Sequence, residues 1–271
     1  MRAKKIRKSA YSKSVVGIVF MLSGTISTAA TVTSPTLIST GDSYTRRTPC
    51  GQYVGSYDGC DSAGVIKHEQ SYATYLNAVS KYQIVPTDNS ARGGETCTLQ
   101  TPYQDGIWAG SNRGLAAQVD TRINNRVGDH VSILIGINDV NLYGVLGHEL
   151  QECLQTLYSR VTASGKKVIA MTYPGVSPST NVWGTGNGWL ASYNVSVVNT
   201  AIRNAVSEHN RTNPASKVLL AETSSAWTSD GAAQFTEDGA HPNATGARHL
   251  ARVWFDLVCR SGEVNCRTWF Q

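Results

Sequence analysis

Three short stretches carry side chains that could together cleave an ester. Gly41-Asp42-Ser43 places a serine where a short apolar run ends. Asp238-Gly239-Ala240-His241 sets a carboxylate and an imidazole three residues apart, which on one turn brings their Cβ atoms within ~5–6 Å. At that range the carboxylate accepts from one imidazole nitrogen and leaves the other to take a proton from a hydroxyl. Gly136-Ile137-Asn138-Asp139 adds a side-chain amide, whose N–H can stabilise the negative charge of a tetrahedral intermediate. The chemistry is nucleophilic acyl transfer, with Ser43 as nucleophile, His241 as base and then acid, and Asp238 orienting His241. A fourth stretch, Asn89-Ser90-Ala91-Arg92-Gly93-Gly94-Glu95-Thr96, has adjacent glycines and hence backbone N–H groups that can face a ligand.

Each stretch also has a plain reading. Gly-Asp-Ser is turn composition and Asn138 suits a turn in which it binds its own backbone. Tandem glycines make flexible turns, and Asp238 could cap a helix beside a surface histidine. What sets the four apart is the elements they follow. Thr36–Thr40, Gln83–Thr87, Val131–Ile135, Lys167–Thr172 and Lys217–Ala221 read as short buried strands. Helical periodicity suits Gly64–Lys81, Gly114–Arg126, Gly147–Ala163, Leu190–His209 and Gly246–Val258. Such alternation predicts a parallel sheet covered on both faces, and ligands bind such sheets outside the carboxyl ends of the strands. Ser43, Gly94 and Asn138 each follow a predicted strand and fall on that rim. Pro242 suits the first turn of the last helix.

In this order and spacing the four stretches resemble the sequence blocks of the SGNH (GDSL) hydrolases, from about Thr36 to the C-terminus. The resemblance implies an α/β fold, a three-layer α/β/α sandwich with a five-stranded parallel sheet in flavodoxin-like order. It also implies carboxylic ester hydrolysis with no metal or organic cofactor. The oxyanion hole would be the Ser43 N–H, the Gly94 N–H and the Asn138 side chain, with Asp139 in a supporting role. The chain departs from secreted lipases of the family at Thr45-Arg46-Arg47-Thr48, where small residues are usual, and at Gly136-Ile137, where Gly-Gly is usual. Both departures spare the catalytic set and weaken a long-chain lipid substrate.

Arg46, Arg47 and Arg92 lie close in sequence to the predicted nucleophile and oxyanion loop. If they rim one pocket, their planar guanidinium groups suit an ester on an anionic carrier; otherwise they are solvated loop residues. The favoured substrate is a short-to-medium acyl ester, such as a glycan O-acetyl group. An extracellular lipase or phospholipase is the alternative within the family. The alternative from another class is an inactive carbohydrate-binding scaffold using Trp108, Trp183 and Trp189. No His-Glu-x-x-His zinc motif and no Gly-x-Ser-x-Gly elbow occur. His68, His130, His148, His209 and His249 lack a catalytic partner pattern.

Residues 1–30 read as a signal peptide: a basic start, an apolar run from Val15 to Leu22 too short to span a bilayer, and Thr28-Ala29-Ala30. Residues 31–271 would then be a single hydrolase domain, secreted to the extracellular space or a periplasm and monomeric. The whole chain carries 24 Lys+Arg against 19 Asp+Glu. The first 30 residues hold six of the basic side chains and no acidic ones, leaving 18 against 19. No nucleic-acid partner follows from that balance. All six cysteines, Cys50, Cys60, Cys97, Cys153, Cys259 and Cys266, fall after residue 30 and read as a disulfide framework with fifteen possible connectivities. Resemblance to secreted lipases of the family implies pairing in sequential order.

Overall fold

The apolar run Leu37-Ile38 becomes the spine of a five-stranded, all-parallel sheet ordered β2-β1-β3-β4-β5. The computed structural model describes residues 35–45, 71–80, 84–91, 94–98, 114–180 and 188–263, all within the unit Ser34–Gln271. Its strands are β1 (Thr36–Gly41), β2 (Val85–Asn89), β3 (His130–Leu134), β4 (Lys167–Met171) and β5 (Leu219–Ala221). Its α-helices are α1 (Tyr72–Val79), α2 (Ile137–Tyr143), α3 (Gly147–Ala163), α4 (Gly188–Thr212), α5 (Ala232–Phe235) and α6 (Ala244–Arg260). The order is flavodoxin-like, as expected.

Central strands in such a sheet are covered on both faces and therefore run apolar. In β3 every residue is buried. His130 and Ser132 are its polar members, and the Ser132 hydroxyl is the meeting point of one helical layer. Tyr72 of α1 lies 2.7 Å away and Trp254 Nε1 of α6 donates to it at 3.1 Å. Right-handed crossovers send the chain one way from β1 to β2 and the other way from β3 to β5. α1 and α6 thus pack together on one face, and α3 packs on α4 in the other layer. Each helix buries an i, i+3/i+4 stripe: Leu150, Leu154, Leu157 and Val161 in α3, and Leu250, Ala251, Trp254 and Val258 in α6.

Several boundaries differ from the sequence expectation. β2 runs Val85–Asn89, two residues later than predicted. It is an edge strand with a register shift: Leu37 faces Pro86 and Ile38 faces Asp88, so Thr87 is passed over. The Thr87 hydroxyl donates to Leu37 O at 3.0 Å instead. The expected helix over 114–126 is a 3₁₀ turn, Leu115–Gln118, followed by a π-helical turn, Asp120–Asn124. Asn138 lies in the first turn of α2 rather than in a loop. Pro242 is not in the first turn of α6; it bridges to Thr236, and Asn243 caps the helix by accepting from Thr245 N and Gly246 N. The part of the first predicted helix before residue 71 lies outside the described residues.

Candidate active site

Ser43 sits where β1 meets β3 at its carboxyl end. Gly41 has φ +134°, and a Cβ there would lie 1.9 Å from Leu134 O, so only glycine fits. This close approach lets Asp42 N donate to Leu134 O at 3.2 Å, and Thr45 N closes a turn onto Asp42 O at 3.1 Å. The turn leaves Ser43 partly exposed while Asp42 and Tyr44 are buried.

The loop between α5 and α6 brings the imidazole to this serine. Asp238 Oδ1 accepts from Ala240 N (3.0 Å) and His241 N (2.8 Å), folding the four residues into one turn. Thr180 Oγ1 donates to Asp238 O at 3.0 Å and Ser177 N to Gly239 O at 2.7 Å, which pins the loop to the segment after β4. His241 Nδ1 is 2.7 Å from Asp238 Oδ2 and His241 Nε2 is 2.8 Å from Ser43 Oγ. An ionised Asp238 can only accept, so Nδ1 carries the proton and Nε2 accepts from Ser43. Burial favours the neutral carboxyl of Asp238. The hydrogen bond and charge of His241, with the turn N–H groups, outweigh it and hold the group below its ordinary value.

Asn138 meets the second block. Asn138 is buried, and its Nδ2 donates to Glu95 O at 3.0 Å, next to Gly94. Gly94 is exposed, with φ +70°, a left-handed conformation that favours glycine. Asp139 binds the far side of the loop, accepting from Cys97 N (2.8 Å), Thr98 N (2.9 Å) and Thr98 Oγ1 (2.7 Å). Burial raises its carboxyl despite these donors. Cys97 is also bonded to Cys153 on α3, so the loop is fixed covalently as well.

The sequence-predicted residues Ser43, Asp238 and His241 thus fall together, and Asn138 meets the Gly94 loop. Arg46, Arg47 and Arg92 lie outside the described residues, as do Cys50, Cys60 and Cys266 and the predicted signal segment. Cys259 is disulfide-bonded. Trp108 and Trp183 also lie outside, and Trp189 is the second residue of α4.

Sequence reasoning missed five members of the site. Asp42 is fully buried, accepting from Tyr44 N at 3.0 Å and from the Tyr173 hydroxyl. Burial pushes its carboxyl up to about 7, against those donors and the charge of His241. Tyr44 packs edge-on against Tyr173, centroids 5.0 Å apart, and lies 5.5 Å from His241. Arg122 and Glu95 form a buried ion pair beneath the second block. Only Arg122 left a sequence signal, for it falls beside Val119 and Ile123 on a helical apolar stripe.

The chain belongs to the GDSL-like Lipase/Acylhydrolase family, which it matches over residues 40–249. It is accordingly a carboxylic ester hydrolase of SGNH type. Solved structures agree on the fold. Est24, a carbohydrate acetylesterase from Sinorhizobium meliloti, is 14% identical, with TM-score 0.63 over 84% of this chain and 99% of its own. A variant of Axe2, an acetyl xylan esterase from Geobacillus stearothermophilus, is 22% identical, with TM-score 0.55 over 83% and 95%. LAE5, an alpha/beta hydrolase enzyme from the metagenome of Lake Arreo, Spain, is 20% identical, with TM-score 0.55 over 82% and 94%. No curated protein matches the chain by sequence.

Proposed function

We propose that the protein is a secreted serine esterase that removes short acyl groups through an acyl-enzyme on Ser43. The observation that carries this reading is the relay of two short contacts, Ser43 Oγ to His241 Nε2 at 2.8 Å and His241 Nδ1 to Asp238 Oδ2 at 2.7 Å. As Ser43 Oγ attacks the ester carbonyl, its proton passes to His241 Nε2, and Asp238 stabilises the imidazolium. The carbonyl oxygen becomes an oxyanion, held by the Ser43 and Gly94 N–H groups and the Asn138 amide. The tetrahedral intermediate collapses, and His241 returns the proton to the departing alcohol. Water, deprotonated by His241, then releases the acid.

Glycan O-acetyl esters are the preferred substrate class. Two structural neighbours are described as a carbohydrate acetylesterase and an acetyl xylan esterase, and the departures at Thr45-Arg46-Arg47-Thr48 argue against long acyl chains. Arg46, Arg47 and Arg92 would favour an anionic carrier. Export follows from residues 1–30, with residues 31–271 as the mature domain. Among the described residues no helix is long and apolar enough to cross a membrane.

The test is hydrolysis of acetyl, butyryl and palmitoyl nitrophenyl esters, with mass spectrometry of the peptide carrying Ser43 during acetyl turnover. An acetyl adduct on Ser43 and a preference for acetyl are expected. A preference for palmitoyl would transfer the reading to a lipase. No hydrolysis of any ester would favour the carbohydrate-binding scaffold. Amino-terminal sequencing of exported protein would place the cleavage site.

A further inference from the structure

Glu95 is held at two points. Its carbonyl accepts from Asn138 Nδ2 at 3.0 Å, and its carboxylate accepts from Arg122 Nη1 at 3.0 Å. Arg122 also donates through Nη2 to Ser90 O. One guanidinium therefore reaches both Ser90 and Glu95, the neighbour of Gly94. The side chains of Arg122 and Glu95 are only 4% and 6% exposed.

A pair of this kind is poorly explained by stability. Charged side chains are almost never buried unless paired, and even a well-paired buried bridge can be no more stable than apolar residues of the same volume. Its fork geometry does supply orientation, because a planar guanidinium reaches two acceptors at fixed angles. Arg122 stands in the π-helical turn Asp120–Asn124, a distortion often found at functional sites.

We infer that Arg122 is a positioning residue for the oxyanion hole, acting through Glu95. The inference rests on the proposed roles of Gly94 and Asn138. Fixing the Glu95 carboxylate sets the backbone next to Gly94, and with it the direction of the Gly94 N–H. Fixing the Glu95 carbonyl engages one N–H of Asn138, and so sets the plane in which the second can meet an oxyanion. The two donors are thereby aimed by one clamp. Asp139 and the Cys97–Cys153 bridge secure the other end of the loop.

The test is a double-mutant cycle on nitrophenyl acetate, with melting temperature and near-UV circular dichroism confirming folding of every variant. Arg122→Met is expected to lower kcat about 10²-fold with KM little changed, since misplacing a catalytic donor by about 1 Å can cost that much. In an Asn138→Ala background, where one of the aimed donors is gone, the same substitution should cost clearly less. Arg122→Lys, which keeps the charge but not the fork, should fall between wild type and Arg122→Met and serves where Arg122→Met does not fold. Multiplicative losses across the cycle, or wild-type kcat in folded Arg122→Met or Arg122→Lys, would overturn this inference alone. Unchanged kcat in Asn138→Ala would overturn the oxyanion assignment and this inference with it.

Discussion

The Tyr173 hydroxyl donates to the buried carboxyl of Asp42, a contact between residues 131 positions apart that ties the segment after β4 to the turn presenting Ser43. Asp42 precedes the proposed nucleophile, and Tyr44, which follows it, packs on the same Tyr173 ring. Asn199 holds Tyr173 in turn, accepting from its N–H at 2.6 Å and donating to its carbonyl at 2.8 Å. The turn at Ser43 is thus clamped from both neighbours. Replacing Tyr173 by Phe removes the donor and leaves Asp42 less well satisfied, at a cost of about 1–3 kcal/mol. Chemical denaturation of Tyr173→Phe measures that loss, and an unchanged midpoint would show that the contact adds nothing to folding.

The relay itself predicts a graded response. Ser43→Ala and His241→Ala should each lower turnover on the order of 10⁶-fold, and Asp238→Ala less, as in other serine triads. Folding should survive Ser43→Ala, since the side chain is partly exposed. More than a tenth of wild-type turnover in purified Ser43→Ala would remove the serine from the mechanism.

Asn138→Ala should lower turnover ~10²–10³-fold, the cost of one oxyanion donor. Because Asn138 is buried and donates to Glu95 O, the variant should also lose about 1 kcal/mol of stability by removing that hydrogen bond. A stability loss with unaltered turnover in the folded fraction would make Asn138 purely structural.

Stability should fall as pH rises from about 4 towards 7. The Asp42 carboxyl is pushed from an ordinary 3.8 up to about 7 by burial. In that window the folded chain keeps a proton that the unfolded chain has lost. The contribution of Asp42 is therefore full below 3.8 and declines as pH climbs to 7, at no more than about 1.4 kcal/mol per pH unit. Asp139, also raised by burial, acts in the same direction. Asp238, held below 3.8, acts in the opposite sense: its contribution is present above 3.8 and lost as pH drops through the lowered value. Urea midpoints across this range should show a negative slope that flattens in Asp42→Asn. An equal slope in wild type and Asp42→Asn would reject the assignment.

The Cys97–Cys153 bridge joins residues 56 apart. In the chain-entropy account, a loop of that size adds about 4 kcal/mol. Cys97→Ala/Cys153→Ala should lose stability of that order. It should also lose turnover, because Cys97 N is one of the donors that fix Asp139 to the Gly94 loop, which is proposed to hold the oxyanion. Full activity at full occupancy of the folded state would separate the bridge from the site.

How far the sequence was legible follows from how local each signal is. α3 was read to its residue limits because Leu150, Leu154, Leu157 and Val161 repeat at the helical period. Ser43, Asn138 and His241 were legible because each stands in a short block with its own turn or strand signature. β2 was misplaced by two residues because Pro86 and Asp88, both poor strand formers, lie inside it. The 3₁₀ and π turns between residues 115 and 124 carry the same apolar spacing as a regular helix, so periodicity could not separate them. Asp42 with Tyr173, and Glu95 with Arg122, meet only after folding. No local pattern announces such pairs.

The two borders of the sheet bear on how copies of the chain meet one another. A sheet border can recruit a strand from a neighbouring molecule, and long, straight borders do so most readily. Here β5 is three residues long. β2 contains Pro86, which has no N–H to offer a newcomer, and slips register at Thr87. Among the described residues neither border presents an even ladder of backbone groups, so strand addition is disfavoured at both sides of the parallel sheet without its being closed into a barrel. A protein built this way can hold five strands in register at high concentration and still resist cross-β stacking through its native state.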